Sequence, residues 1–552
     1  MSRFVETFRK LACMSEQTRS RTGEALATVR MFGRYASGIR GFLKQPLDSE
    51  ECRRIVVNQK ARREESFLAM LERGIYENPR SPYRRLLEHA GIRFSDAAAL
   101  VARLGLEGAL DELYDRGVYV TIDEFKGRKP IVREGLTIET RPGDFDNPLL
   151  VAHYETRTGG SRGPRTRLVV DLDLLAYEAA QTQIFLSAFG IEDRPVGIWR
   201  EALPGPVGIK TFLRHTKIGG RVLAWFTPRK PIARLEDVKY QIFTLATAFI
   251  SRVAGKAMPM PVYVPPSDAG RIASWLAEQK QRGSPAILDT NTSTAVRACL
   301  AAKELGLDIS GSFFRVSAEP YTTAKDAIIR ERGCRTASHY SCAEIGYMGM
   351  ACAHPDAVDE VHLMTDKVAL VQRQKKVGGG NISVGALAFT TVLPSCPKLM
   401  LNVELGDYAT VTRRRCGCLL DELGFETHLH DVRSWEKLNS AGVSFLGTEL
   451  IALVEDVLPE RFGGHAMDYQ FVEEEEAGLT KVSLLVHPRL EGIDERAVLE
   501  TVLTELRACP GGGLMADTWR ESGTLRVRRR EPYITGAFKL LPLHILGTTS
   551  ES

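Results

Sequence analysis

The chain has 552 residues, more than one ordinary domain needs, so two or three domains are expected. Its 44% hydrophobic and 26% charged residues supply a globular core, and the net charge of +4 is spread along the chain, which argues against a dedicated nucleic-acid binder. Ten cysteines are too few for a disulfide scaffold, and no apolar run approaches the ~18 residues of a membrane-spanning helix. The opening MSRFVETFRKLACMSEQ alternates charge with apolar residues and lacks the uninterrupted core of a signal peptide. A cytoplasmic, reduced chain with no membrane partner is expected, its cysteines being free thiols or metal ligands.

In chain order, residues 1–75 read as a charged helical extension with few glycines or prolines. SPYRRLLEHAGI, from Ser81, has helical spacing and stops at Gly91, and helical patterning continues to about Asp115. VYVTIDEF, from Val118, reads as a strand. LLVAHYET and RLVVDLDLL flank TRTGGSRGPR and make it a hairpin tip. From Asp171 to about Ile328, helical segments alternate with PVGIW, RVLAWF and PAILDT, which predicts an α/β architecture with a largely parallel sheet. Strand patterns then dominate to about Val411. A last segment, from about Ser434, alternates strand and helix and suits a small α+β domain; the acidic run Glu473 to Glu476 reads as a solvated loop.

Thr158 to Gly163 (TGGSRG) has what a phosphate loop needs: small residues, a hydroxyl and a positive charge. It lacks the Gly-Lys-Ser/Thr ending of a P-loop, and alone it is equally a turn between strands. Other segments follow it in order: RVSAEPYTTAK from Arg315, ASHYSCAEIG from Ala337, GALAFTT, LMLNVELGDYATV, VRSWEKLNSAGVSF and YITGAFKLLPLH. This succession, over roughly Pro79 to His544, resembles the adenylate-forming ligase superfamily, and within it the phenylacetate–CoA ligase and acyl-protein synthetase branch.

The resemblance implies a large domain over 76–434 that binds ATP and a carboxylic acid, and a small mobile lid over 435–552. Thr158, Gly160, Ser161 and Gly163 would line the ATP phosphates, with Arg162 where the family has a hydroxyl. Ser317, Ala318 and Glu319 match the Gly-Gly-Glu-Pro stretch beside adenine. In Tyr340 to Glu344 (YSCAE), Tyr340 would stack near adenine, Ser341 would lie in the nucleotide site and Glu344 would hold magnesium. Ala343 lacks the usual threonine hydroxyl. Asp407 would take the ribose hydroxyls, since a carboxylate accepts two hydrogen bonds. Arg433 opens the hinge, where Trp435 and Glu436 replace the usual acids, and Lys539 would enter the site during adenylation. ATP would convert the acid to an acyl-adenylate with loss of pyrophosphate. A thiol, of CoA or of a carrier protein, would then displace AMP. A homodimer is compatible with this reading, and so is a non-catalytic binder that keeps the fold.

Cysteines also cluster. Cys416 and Cys418 lie in RRRCGC; Cys352 lies in MACAHP with His354 and His362 downstream. Thiolates and imidazole suit tetrahedral zinc. By resemblance to some relatives in this branch the set is Cys352, His362, Cys416 and Cys418, with His354 as the substitute nitrogen. Buried free thiols are the alternative. His428 and His430 precede the hinge and read as strand-edge packing, and Cys342 is placed to line an acyl pocket.

Overall fold

The structure is a computed structural model. It describes residues 31, 33–150, 153–157, 167–205, 207–228, 238–377, 382–434, 437–440, 443–446, 453–464, 468–476, 479–508, 512–533 and 543–545. The helix over 33–44 (α1) leads into α2 (Ser49–Ala61) and α3 (Arg63–Met70). Asp48 starts α2 by accepting the Glu51 amide at 2.8 Å. A wide turn over Leu71–Tyr76, then α4 (Pro82–His89) and α5 (Phe94–Asp115), follow. Tyr35, Phe42, Val56, Phe67 and Ile75 are buried in the same apolar core as Leu110, Phe389 and Leu429.

Of the stretch expected as a strand, Val120 bridges Val403 of the antiparallel sheet in parallel, and a helical turn follows. Glu124 accepts the Thr121 amide at 2.7 Å and Thr121 accepts the Glu124 amide at 3.5 Å, starting α6 (Ile122–Phe125). This reciprocal cap ends the extended stretch after Val120. A small hairpin, β1 (Ile131–Arg133) and β2 (Leu136–Ile138), follows. β3 (Tyr154–Arg157) and β4 (Arg167–Val170) pair from Tyr154↔Val170 to Arg157↔Arg167, so the glycine loop lies at a hairpin tip as expected. Thr158, Gly160, Ser161, Arg162 and Gly163 lie outside the described residues.

The predicted α/β region is present. It runs α7 (Leu172–Phe189), β5 (Val196–Trp199), α8 (Val207–Lys217), β6 (Val222–Thr227), α9 (Val238–Val253), β7 (Val262–Tyr263) and α10 (Ala269–Gln281). It continues with β8 (Ile287–Asn291), α11 (Thr292–Glu304), β9 (Phe313–Ser317), α12 (Thr323–Glu331) and β10 (Arg335–Ser338). The strands form one parallel sheet ordered β10-β9-β8-β5-β6-β7. Alternate residues feed different cores: Ile287 and Phe313 join the large one, Leu288 and Phe314 a second one with Ile272 and Leu276 of α10.

A seven-stranded sheet comes next, ordered β11-β12-β13-β17-β16-β15-β14 and antiparallel throughout. Its strands are β11 (Tyr340–Cys342), β12 (Gly346–Ala351), β13 (Val361–Leu363), β14 (Val368–Val377), β15 (Ile382–Thr391), β16 (Val403–Arg413) and β17 (Thr427–Ser434), with α13 (Leu419–Glu422) before the last. Beyond it lie a hairpin of β18 (Lys437–Ser440) and β19 (Val443–Leu446) and the short α14 (Leu458–Phe462). A third core, around Tyr469, Phe471, Leu484, Val502 and Trp519, belongs to the C-terminal segment. There β20 (Tyr469–Glu476), β21 (Leu479–Val486), α15 (Glu495–Ala508), α16 (Gly512–Ser522), β22 (Leu525–Arg529) and β23 (Leu543–Ile545) give a four-stranded sheet ordered β22-β21-β20-β23. The acidic run is not a loop: it ends β20, where Glu474 pairs with Arg526 at 2.9 Å. Basic side chains two strands away neutralise a row that would otherwise repel itself.

Glu178 of α7 joins the layers. It is buried and meets Lys367 Nζ at 2.7 Å, Arg214 of α8 at 3.1 Å and the Tyr347 amide of β12 at 3.3 Å. Burial raises its pKa, but Lys367, Arg214 and Lys210 outweigh that and hold it down to about 2. Gly346 makes the approach possible: its φ is +92°, and a Cβ there would lie 1.7 Å from Glu178 Oε1 and 2.8 Å from Lys367 Nζ. Gly346→Ala is therefore expected to destabilise by more than about 3 kcal/mol in chemical denaturation, through a broken buried ion pair and a strained φ.

Glu178 and Asp289 both have folded-state pKa values of about 2, below the roughly 4.3 and 3.9 of unfolded Glu and Asp. Their stabilisation is complete above the unfolded values and is lost as pH falls through the folded ones. Thermal unfolding followed from pH 5 to pH 2 should show a falling Tm, and Glu178→Gln should flatten part of that slope.

Candidate active site

Three parallel strands end in polar residues at one level. Arg200 follows β5, Asp289 lies mid-strand and Asn291 ends β8, and Arg315 lies mid-strand and Ser317 ends β9. Chain order reverses between β5 and β8, and ligands of open α/β sheets bind outside the carboxyl ends of strands at such a switch. Arg200 spans the gap: it donates to Asp289 Oδ1 at 2.7 Å and Ser317 Oγ at 2.9 Å, and also to Asn291. Arg315 lies 3.4 Å from Asp289 Oδ2. Burial works against the Asp289 charge, but Arg200, Arg315 and Arg214 hold the carboxyl down to about 2.

Ser317, Ala318 and Glu319, predicted from sequence, turn away from the end of β9. Ala318 has a φ of 76°, the left-handed region that favours glycine, at the position where the resembled motif carries one. Glu319 is buried and accepts the Ser293 amide and hydroxyl, each at 2.9 Å, which ties the turn to the first residues of α11.

Residues far apart in sequence meet on the seven-stranded sheet. The Tyr340 hydroxyl donates to Asp407 Oδ2 at 2.8 Å. Asp407 lies in β16 just after Gly406, whose φ is +79°, and stands opposite Ser434; Tyr408 stands opposite Arg433. Arg433 pairs with Asp359 at 3.1 Å and reaches Asp431 at 3.5 Å. Ser341 is exposed beside Tyr340. Glu344, in the β11–β12 turn, is buried and paired with Lys126. Burial raises its pKa, yet Lys126, its own backbone amide and Lys398 keep the carboxyl below its usual range. The Cys342 thiol is pushed up, first by burial and then by Glu344. Lys539, Trp435 and Glu436 lie outside the described residues.

Sequence reading missed Lys126 and Arg200. For Arg200 a signal existed: PVGIWRE, PAILDTN and FFRVSAE each carry a charge just after a short apolar strand. Lys126, 218 residues before its partner Glu344, had none.

The cysteine set also converges. One ligand atom from each of Cys352, His362, Cys416 and Cys418 lies within 4.8 Å of the others. His362 Nε2 is 3.1 Å from Cys418 Sγ and 3.6 Å from Cys416 Sγ. Its other nitrogen, Nδ1, lies 2.6 Å from the Phe425 carbonyl, which fixes the tautomer and turns Nε2 toward the sulfurs. Gly417, with a φ of +69°, bends the Cys-x-Cys segment so that both thiols face one point. The Cys352 hydrogen bond holds the Cys418 thiol down against burial, with help from His362. His354 is not in the set: its Nδ1 lies 3.0 Å from the Cys416 carbonyl. His428 lies on an inner strand, β17, and not at an edge: it is buried against His362 with ring centroids 4.1 Å apart and Nδ1 2.5 Å from Glu360, and with Cys352 and Glu360 it forms a second group of converging donors. His430 is paired with Asp431 at 2.9 Å.

Among the described residues no helix is long and apolar enough to cross a membrane. No protein-family model matches the sequence, and neither does any curated protein. Solved structures do match. A 2-hydroxyisobutyryl-CoA ligase, in complex with 2-HIB-AMP and CoA in the thioesterification state, is 16% identical, with 88% of this chain and 90% of that chain covered at a TM-score of 0.55. The same ligase in its postadenylation state with 2-HIB-AMP gives 16% identity, 91% and 90% coverage and a TM-score of 0.46. Acetoacetyl-CoA synthetase from Streptomyces lividans gives 15% identity, 72% and 55% coverage and a TM-score of 0.33. On the first of these, this protein has the fold of the adenylate-forming ligases.

Proposed function

We propose that the chain is an AMP-forming acid–thiol ligase of the phenylacetate–CoA ligase-like branch. It activates a small carboxylic acid as an acyl-adenylate and passes the acyl group to CoA. The observation that carries this reading is the Tyr340–Asp407 hydrogen bond at 2.8 Å, which unites two motif residues 67 positions apart beside Arg433. In this reading Asp407 accepts the ribose hydroxyls and Tyr340 positions that carboxylate while its ring faces adenine. Ser317 to Glu319 border the base, held by Arg200 and Ser293. Glu344 and Lys126 face the phosphates. One buried carboxylate suits magnesium, which completes its shell with phosphate oxygens and water and would neutralise phosphate charge. The loop at Thr158 to Gly163 and Lys539 complete the phosphate site. The lid begins after Ser434, and the separate core around Trp519 supports a body able to rotate between the two half-reactions.

The test is acid-dependent exchange of labelled pyrophosphate into ATP across a panel of aromatic and aliphatic acids. Exchange is expected with at least one acid, and Asp407→Asn should raise the KM for ATP by about tenfold or more, as loss of a charged hydrogen-bond acceptor does. A folded sample that exchanges with no acid would be a binding protein. Thioester accumulation on CoA, rather than on an acyl carrier protein, identifies the acceptor.

The four converging donors fit tetrahedral zinc in number, type and spacing, and four protein ligands leave no open position for water. Zinc there would pin the ends of β12 and β13 to the β16–β17 connection, as a structural ion. Purified protein should carry about one zinc per chain by elemental analysis, and chelation or Cys418→Ser should lower Tm. Metal-free protein with an unchanged Tm would leave the set as buried thiols.

A further inference from the structure

A buried polar cluster lies behind the Tyr340–Glu344 turn, and the reading above does not use it. Lys210 and Arg214 stand one turn apart on α8, both buried. Lys210 interacts through space with Glu178, Arg214, Lys367 and, in the turn itself, Cys342. Arg214 lies 4.4 Å above the Tyr347 ring and Arg315 lies 4.7 Å from it.

Cations outnumber acceptors here. Lys210, Arg214 and Lys367 surround the single carboxylate of Glu178. Arg200 and Arg315 share Asp289. Nearby Asp366 is already held by Tyr177 and Gln181, and burial pushes its carboxyl up. Buried donors are left over: Arg214 Nε, Arg315 Nε and Nη2 and the Tyr347 hydroxyl; the two ring nitrogens of His215 are one donor and one acceptor and cancel. Gln181 Oε1 and Asp366 Oδ1 are left-over acceptors, but they belong to the Tyr177 hydrogen-bonded set. Among the described residues no hydrogen-bond partner reaches Lys210 Nζ. Burial pushes that ammonium down to about 8 although Glu178 opposes the change. Surplus buried donors and surplus positive charge both call for an anionic acceptor.

We infer that this cluster is the far end of the acid pocket and takes a second anionic group, so that the substrate is a dicarboxylate or an acid of equivalent charge. This rests on the ligase reading: the first carboxylate faces the nucleotide at the Tyr340–Glu344 turn, and the second is held by Lys210 with donors of Arg214 and Tyr347. A site built to hydrogen-bond a group discriminates strongly against the analogue that lacks it, because its donors are then left buried and unpaired.

The experiment measures pyrophosphate exchange with succinate, glutarate, adipate and terephthalate against their twins butyrate, valerate, hexanoate and benzoate. At least one diacid should exceed its twin by about tenfold in kcat/KM, and Lys210→Met should remove that preference while Lys210→Arg keeps most of it. Twins that equal or exceed every diacid, or a preference unchanged in Lys210→Met, would overturn the inference and leave the ligase reading standing. If Lys210→Met does not fold, Lys210→Gln and the wild-type panel decide. If no acid supports exchange, the ligase reading falls, and thermal shift with the same acids, without nucleotide, decides for the pocket. A Tm rise with diacids only, lost in the Lys210 variants, supports it; no rise overturns it.

Discussion

Glu178 sits where helix α7, helix α8 and strand β12 come closest, and its carboxylate is the one acceptor they share. A buried ion pair of this kind contributes little net stability over an apolar filling, but losing one member is severe. Its effect is on arrangement. Lys367 follows β13, so the antiparallel sheet meets the helical layer of the parallel sheet at one shared carboxylate. Gly346 is the residue that admits this contact, since any side chain there would occupy the space of the carboxylate.

From that junction the rest follows in sequence. The helical layer fixes how the parallel sheet faces the antiparallel one. The carboxyl ends of β5, β8 and β9 then form one rim, lined by Arg200, Asp289 and Ser317. The Tyr340–Asp407 pair joins the edge strand β11 of the other sheet to its inner strand β16. Both rims are pre-ordered by charge-assisted hydrogen bonds.

Much of this was legible in the chain because it is periodic or local. Alternating apolar strands and helical segments gave the α/β region, and strand formers flanking glycines gave the hairpin of β3 and β4. Tyr340 and Asp407 were legible only through the resemblance of their motifs to those of adenylate-forming ligases; the cysteines and histidines stood out because thiolate and imidazole are chemically narrow, and the same resemblance picked the four. What stayed hidden is long-range. Nothing near Lys126 announces Glu344, and nothing near Glu178 announces Lys367. Two local signals were outweighed. Past Val120 the Thr121–Glu124 cap decided for a helical turn where the strand was expected to run on. The four glutamates of β20 are strand residues because Arg526 lies within reach, a fact of sheet order that composition does not carry.

Ala318 holds a left-handed backbone with a methyl group attached. That costs on the order of 1 kcal/mol in the folded state, yet it also removes conformers that glycine would keep in the unfolded chain. The bend from Ser317 to Glu319 is thereby denied most of the shapes a glycine pair would sample. Whatever docks against those strand ends encounters a stiff wall, so selectivity for a planar ring there would arise from fit to a fixed surface rather than from the loop moulding itself around its guest.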